Sequence, residues 1–367
     1  MQSTGATNKV RYHWVDVMRF LGMFAVYVGH LVESAGKMYA FVYAYQVPMF
    51  FLLSGFFAAT GFKNSFWENL KKRFLTILVP YFGFCFLNII VFMLDENGNA
   101  TYLKELIKQS IFGIRGNTYA WALWFLPCLF VTAVLYDLIY RAVKNIRHAP
   151  YFILLVAIVL HFAIAQALPD VERFVAHWFF STDSALYYLL YYAAGAVIFP
   201  LIKDKSYAGS SPAGKAVIIV LCIVALCVAG YMYLNETGFK VLDQESRTLL
   251  DIFVSIVQAL LLIYLNYLLA HILSGSEMLR TMGQNSLIYC GTEHILKKMV
   301  FAVLSMLRIY LYITGPFVAC IFTLIIMVLS HYTLIPFIKK YLPPLAGIYG
   351  RPAQPQAASR QQAAASV

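Results

Sequence analysis

The chain has 367 residues, of which 61% are hydrophobic and only 12% are charged, and its mean hydropathy is +0.71. Soluble domains carry about 25% charged residues, so this composition excludes an ordinary soluble protein and indicates a protein that crosses a membrane several times. The formal net charge of +11 comes mainly from lysines and arginines in the loops between apolar runs. It is therefore interpreted as a signal of membrane orientation, and no nucleic-acid partner is expected.

Apolar runs long enough to cross a bilayer recur along the whole chain. A spanning helix needs about 20 mostly apolar residues. This rule predicts an all-α polytopic membrane protein with about ten transmembrane helices. The predicted spans are 14–32, 39–61, 74–94, 119–140, 150–168, 184–202, 216–235, 248–273, 285–305 and 311–336. The ninth span is interrupted by charged and polar residues, namely Glu293, His294, Lys297 and Lys298.

The cations of the loops predict the orientation. About twice as many lysines and arginines lie in the loops on the N-terminal side as on the opposite side, which carries most of the acids. Cytoplasmic loops of membrane proteins are enriched in these cations. We therefore expect both termini in the cytoplasm, with a short cytoplasmic segment over 1–13, a transmembrane domain over 14–340 and a cytoplasmic, disordered tail over 341–367.

The first predicted span, DVMRFLGMFAVYVGH at 16–30, holds three ionisable groups although each is costly to place in lipid. Arg19 and His30 are eleven residues apart, so they share one helix face and are separated by a rise of about 16 Å. Asp16 can pair with Arg19, and Glu33 can accept the imidazole proton of His30. Intramembrane ionisable groups usually face a cavity, so this stripe is interpreted as a functional pathway.

The same stretch resembles the opening helix of the acyltransferase 3 family of integral-membrane acyltransferases. The family hallmark is an Asp-x-x-Arg start followed by a His, with ten residues between the Arg and the His, and Asp16, Arg19 and His30 match it. Further stretches resemble the family in the same order along the chain: VPMFFLLSGFF at 47–57, KKRFLTILVPY at 71–81, LWFLPCLF at 123–130 and GQNSLIYCGTEH at 283–294. The resemblance covers roughly residues 12 to 340.

The resemblance implies that the domain at 14–340 is a membrane-embedded O-acyltransferase of a bacterial plasma membrane. It would move an acyl group, usually acetyl, from cytoplasmic acyl-CoA to a hydroxyl of a cell-surface or lipid-linked glycan. The expected partners are the bilayer, the donor acetyl-CoA and the glycan acceptor. No permanently bound cofactor and no metal are expected, because the six cysteines all lie inside apolar runs without metal-type spacing.

Roles for individual residues follow from the resemblance and from the chemistry of the donor. Acetyl-CoA is polyanionic, so Lys71, Lys72 and Arg73 are expected to bind its phosphates, together with Trp124 as a further donor-binding residue. Arg19 would position the donor. The remaining candidates form a second polar cluster, expected to face the same cavity and made of Asn285, Ser286, Tyr289, Glu293 and His294.

His30 has two possible roles. It acts either as the general base on the acceptor hydroxyl or as the carrier of the acyl group in an acyl-imidazole, and the sequence does not separate the two. Arg19, Asp16 and Glu33 complete the predicted catalytic set. A transporter or flippase of glycan or lipid intermediates is the main alternative, although no internal repeat is evident. An acyltransferase with a non-glycan acceptor is a further alternative.

Overall fold

The fold is a bundle of helices. A computed structural model describes residues 11–95, 100–116, 119, 122–168, 176–204, 212–236 and 248–349, and no β-strand occurs among them. The α-helices of the described residues are, in chain order, α1 His13–Gly29, α2 Lys37–Tyr43, α3 Gln46–Gly55, α4 Phe66–Arg73, α5 Val79–Asp95, α6 Ala100–Phe112, α7 Phe125–Val143, α8 Ala149–Ala167, α9 Thr182–Ile202, α10 Pro212–Asn235, α11 Leu249–Leu273, α12 Glu277–Gln284, α13 Ser286–Met306, α14 Gly315–Tyr332 and α15 Leu334–Tyr341.

Eight helical segments of the described chain are long and apolar enough to cross a membrane. They are Lys37–Gly61, Phe66–Leu94, Phe125–Val143, Ala149–Ala167, Phe179–Ile202, Ala216–Asn235, Leu249–Leu273 and Gly315–Tyr341. Each corresponds to a predicted span, so the protein is an all-α polytopic membrane protein. The other two predicted spans correspond to α1, which has 17 residues, and to α13, which carries the charges that interrupt the ninth span. The count of ten and the cytoplasmic termini stay predictions.

Two boundaries that differ from the sequence prediction have a clear structural reason. The fourth span is predicted to begin at 119, but α7 begins at Phe125. Pro127 lies in the first turn of α7, where backbone N–H groups have no partner within the helix, so the proline costs no helical hydrogen bond. The predicted tail begins at 341, yet Leu345 is buried and lies within van der Waals distance of Gly83 in α5, so the folded bundle continues past that residue. The tail beyond 349 and the N-terminal residues 1–10 lie outside the described residues.

Helix α1 lies at the centre of the bundle. It packs against α2, α3, α11, α12, α13 and α14. Most of its side chains are buried, whereas α10 is largely exposed and carries bare apolar residues such as Val220 and Leu226, as expected for a helix that faces lipid. The polar residues of the first span therefore sit in the protein interior, where other helices can supply their partners.

Glycines allow a close helix crossing at the family-like stretch 47–57. A Cβ at Gly55 would lie 2.0 Å from the carbonyl oxygen of Tyr192 in α9, and a Cβ at Gly195 would lie 2.1 Å from that of Leu52. The two glycines therefore let the backbones of α3 and α9 approach each other, as small residues do in membrane bundles. The Ser54-Gly55 pair has a packing role, and the hydroxyl of Ser54 donates to the carbonyl of Phe50 at 2.8 Å.

Candidate active site

A cavity of about 680 Å³ opens beside α1. Arg19, Met23, Val26 and His30 of α1 line it, and their spacing of four, three and four residues is that of one helix face. The cavity therefore joins the guanidinium and the imidazole that the sequence placed on one stripe. Their separation along the axis is about 16 Å, roughly half of the ~30 Å hydrocarbon core, so the cavity extends deep into the bundle.

The other walls come from four more stretches of the chain. They contribute Tyr39, Tyr43, Gln46, Val47, Phe50, Leu53 and Ser54, then Thr76 and Ile77, then Arg115, Gly116, Ala122, Trp124, Phe125, Leu126 and Leu129, and finally Ser286, Leu287 and Cys290. Thr76 and Ile77 belong to a single π-helical turn, Phe74–Leu78, at the start of the third predicted span. Such turns recur at functional sites because they redirect side chains out of the helical repeat.

At one end of the cavity His30 contacts a carboxylate from a distant helix. Nδ1 of His30 lies 2.6 Å from Oε2 of Glu293, and Oε1 of Glu293 lies 2.6 Å from Nζ of Lys297. Lys297 also donates to the carbonyl oxygen of Tyr27 at 3.1 Å. All three ionisable side chains are nearly buried, with 12%, 5% and 12% exposure for His30, Glu293 and Lys297. An ionised carboxylate can only accept, so Glu293 pairs with an imidazole that carries a proton on Nδ1; in the neutral form of that imidazole Nε2 is the basic nitrogen.

The carboxylate at Nδ1 of His30 is Glu293, whereas the sequence spacing predicts Glu33 at that position. Helix α1 ends at Gly29, and the chain turns at Val32, whose φ is +52°. The helical spacing between His30 and Glu33 therefore does not continue. Glu33 lies exposed in the short 3-10 helix Val32–Ala35, while Glu293 is supplied by the packing of α13 against α1.

At the other end Asp16 organises the start of α1. Its carboxylate is buried and accepts from Nε of Arg11 at 2.8 Å and from Nε2 of Gln284 at 3.2 Å. Nη1 of Arg19 lies 3.5 Å from the other carboxylate oxygen, which is the pairing expected from the sequence. Arg19 is 31% exposed, and its guanidinium lies 5.5 Å from the ring centroid of Phe57. Asp16 thus ties α1 to α12 while Arg19 remains on the cavity wall.

The basic residues of α4 lie away from the described cavity wall. Lys71 and Lys72 are exposed, and Arg73 turns inward, where its Nη1 lies 3.1 Å from Oδ2 of the buried Asp137. Nε of Arg141 lies 3.2 Å from the second oxygen of the same carboxylate. Arg73 and Arg141 therefore share one carboxylate of α7. Binding of donor phosphates by Lys71, Lys72 and Arg73 stays a prediction.

The second polar cluster does not face one cavity as a group. Ser286 lines the cavity and Glu293 contacts His30, but Tyr289 is buried and donates to the carbonyl of Met327 at 2.9 Å. His294 stacks on Phe92 with ring centroids 4.7 Å apart. The amide of Asn285 donates to the carbonyl of Thr281 at 2.6 Å, within its own turn. The cause is helical geometry, because positions 286, 290, 293 and 297 share one face of α13 and the others do not.

Two cations of this site were missed as functional candidates. Arg115 is not among the residues predicted for the site, yet it is 1% exposed, lines the cavity and has its guanidinium carbon 4.2 Å from the ring centroid of Trp124. Its Nη1 lies 3.0 Å from the hydroxyl of Tyr188. Lys297 was noted only as an interruption of the ninth span. Its spacing of four residues from Glu293 was the available signal for an ion pair.

Comparison with known proteins places the chain in a family. A family model described as an acyltransferase domain matches residues 12–332, which is most of the chain and includes every described residue that lines the cavity. No curated protein and no solved structure matched the chain. The cavity beside α1 therefore lies within the matched domain. The chain belongs to the acyltransferase 3 family and is a membrane acyltransferase.

Proposed function

We propose that the protein is an O-acetyltransferase that moves an acetyl group from cytoplasmic acetyl-CoA to a hydroxyl of a cell-surface or lipid-linked glycan, in a bacterial plasma membrane. The observation that carries the proposal is the single cavity lined by both Arg19 and His30. A donor that enters from the cytoplasm meets Arg19 first, and its thioester reaches toward His30. The acceptor approaches from the opposite side of the membrane.

The charge of the cavity wall supports an anionic donor. The charged and ionisable groups of its described lining include two guanidinium groups, of Arg19 and Arg115, and one imidazole, without a carboxylate. Guanidinium groups make strong charge-assisted hydrogen bonds to phosphate and polarise carbonyl oxygens. The remaining lining is mainly apolar and aromatic, which suits the uncharged arm that carries a thioester.

The chemistry assigned to His30 follows from its tautomer. Nε2 takes the proton of the acceptor hydroxyl as the oxygen attacks the thioester carbonyl, which forms a C–O bond. The tetrahedral intermediate then expels the thiolate of coenzyme A, and the imidazolium returns its proton to that sulfur. In the alternative route Nε2 itself attacks the carbonyl, the C–S bond breaks, and the thiolate of coenzyme A leaves an acetyl-imidazole. The acceptor hydroxyl then attacks that acetyl group, the C–N bond breaks to restore the imidazole, and the hydroxyl proton passes to the thiolate. Both routes use the same nitrogen, with Nδ1 held by Glu293.

The test is made in cells that express the native chain or its variants. His30→Ala and Arg19→Ala are compared by the ester-linked acetate of purified surface polysaccharide and by its total amount. Loss of acetate with normal polysaccharide export supports the proposal, provided that the membrane level of each variant equals that of the native chain. Loss of export would instead favour a transporter or flippase. Retained acetate in His30→Ala would contradict the proposal.

A non-glycan acceptor gives a different result in a second assay. Membranes are incubated with acetyl-CoA radiolabelled in its acetyl group, and the label is measured in lipid, polysaccharide and water-soluble fractions. Label in the polysaccharide or lipid-linked sugar fraction that depends on His30 supports the glycan acceptor. Label that depends on His30 but appears only in phospholipid or in small soluble molecules would show that the acceptor is not a glycan. The protein would still be supported as an acetyltransferase.

A further inference from the structure

His30, Glu293 and Lys297 form a series of contacts, and the proposed chemistry assigns no task to Lys297. Its ammonium lies 2.6 Å from Glu293, which in turn lies 2.6 Å from His30. It also lies 5.3 Å from the ring centroid of Tyr27 and donates to that residue's carbonyl. The series therefore has a carboxylate at its centre, shared between an amine and an imidazole.

The position of the lysine decides how the carboxylate acts on the imidazole. A carboxylate that faces only an imidazole in an interior of low dielectric favours the imidazolium, because opposite charges stabilise each other. An imidazolium cannot accept a proton from a hydroxyl. With Lys297 on its second oxygen, the carboxylate is already neutralised, and it can accept the Nδ1–H of a neutral imidazole without binding a further positive charge.

We propose that Lys297 is a positioning residue of the transfer reaction, whose ammonium neutralises Glu293 and so keeps His30 in the neutral state that accepts a proton. This inference rests on the proposed function, in which Nε2 of His30 is the base or the nucleophile. It makes the buried ion pair of α13 a part of the active site. A lysine that served only to anchor α13 would leave the protonation of His30 unchanged.

Other titratable groups face the series from the neighbouring elements. They are Tyr27 of α1, Tyr39 and Tyr43 of α2, Cys290 of α13, and the charged Arg115 and Glu33, whose electrostatic interactions reach Tyr43 and Tyr39. None of these is altered by a substitution at Lys297. A change in the protonation of His30 on substitution of the lysine therefore reports on the lysine itself.

The experiment measures the protonation of His30 without an acceptor. Full-length protein in lipid nanodiscs is treated with diethyl pyrocarbonate, which reacts with neutral imidazole, and the rate of modification of His30 is followed by peptide mass spectrometry across a pH series. In Lys297→Met the midpoint of the profile should rise by about one pH unit or more, because a nearby positive charge has been removed. Lys297→Arg should match the native protein.

Lys298 gives a matched control on the same helix. Its ammonium lies 4.0 Å from the ring centroid of Phe92, on the side of α13 that faces α5. Lys298→Met removes one lysine of the same helix and the same net charge from the chain, but it should leave the profile of His30 at its native midpoint. A shift of equal size in Lys298→Met would show a general effect of charge and would overturn the inference.

Lys297→Met leaves Glu293 buried without its lysine, and the variant could fail to fold for that reason. The same substitution is therefore also made in Glu293→Gln, which has no carboxylate at that position. In Glu293→Gln the lysine faces His30 without the acid, so the midpoint should fall below the native value. Adding Lys297→Met to Glu293→Gln removes both charges and should raise the midpoint again. An unchanged midpoint on loss of the lysine in either background overturns the inference.

Activity separates this inference from the proposed function. In Lys297→Met, kcat for acetyl transfer, measured in membranes with radiolabelled acetyl-CoA, should fall at neutral pH and recover at higher pH. KM for acetyl-CoA should stay near the native value. His30→Ala should lose transfer at every pH. If His30→Ala retains transfer, the proposed function fails whatever the labelling shows. If His30→Ala loses transfer but Lys297→Met keeps the native pH profile, only the role of Lys297 fails.

Discussion

Gly283 of α12 lies directly against the backbone of Asp16 in α1. A Cβ at Gly283 would lie 1.7 Å from the carbonyl oxygen of Asp16, far inside van der Waals contact, and both partners are backbone rather than movable side chain. The next residue, Gln284, donates to the Asp16 carboxylate at 3.2 Å. The Gly-Gln pair of the late family-like stretch therefore holds the Arg19 end of α1 at a fixed distance from α12.

Gly283→Ala should therefore destabilise the bundle, because neither backbone can move without breaking the contacts of Asp16. Overpacking of this kind costs about 1–3 kcal/mol or more. We expect a lower thermal midpoint and less folded protein, measured by size-exclusion chromatography after heating in detergent. Gly230→Ala is the control, since apart from the adjacent backbone of its own helix no atom of the described residues lies within 4 Å of its added Cβ. Its thermal midpoint should stay the same or rise slightly.

The two candidate carboxylates at His30 should differ sharply in their effect on activity. Glu293→Gln removes the carboxylate that accepts the hydrogen bond from Nδ1 of His30, so acetyl transfer should fall by about 10²-fold, the lower end of the contribution of general acid–base catalysis. Glu33→Gln changes an exposed acid in a turn and should retain native transfer. Ester-linked acetate of surface polysaccharide measures both variants. Equal loss in the two variants would contradict the geometry.

Arg73 should contribute to stability through Asp137. Arg73→Ala leaves the buried carboxylate with Arg141 and Asn69 as its remaining partners, so we expect a loss of about 1–3 kcal/mol, the range for a broken hydrogen bond to a charged group. The thermal midpoint should fall, and KM for acetyl-CoA is measured on the same variant to separate this structural role from donor binding. Lys71→Ala is the matched control in the same helix and should leave the midpoint unchanged. A large rise in KM with a native midpoint would assign Arg73 to the donor instead.

Val26 tests whether the cavity is a continuous path. It lies on the cavity face of α1 between Met23 and His30. Val26→Trp should fill the space between the Arg19 and His30 ends, so transfer should fall by at least about tenfold, because displacement of the reacting groups by about 1 Å can cost 10²-fold. Binding of radiolabelled coenzyme A at the Arg19 end should persist. Val220→Trp, at an exposed position of α10, is the control and should keep native transfer.

The sequence by itself determined the class of protein and the stripe of α1. Apolar length predicts membrane helices because a helix in lipid must satisfy its own backbone, which is a local requirement. The common face of Arg19 and His30 and the pairing of Asp16 with Arg19 are also local, since both follow from the helical repeat within one segment. These features were therefore readable before any tertiary contact was known.

Only the tertiary structure decided which groups complete the site. Glu293 is 263 residues from His30, and Arg73 is 64 residues from Asp137, so no periodicity within one helix relates them. The helix end at Gly29, which removed Glu33 from His30, depends on how the chain turns into α2. Side chains of similar chemistry compete for each buried charge, and the packing of whole helices, rather than their sequence spacing, selects the partner that comes within hydrogen-bond distance.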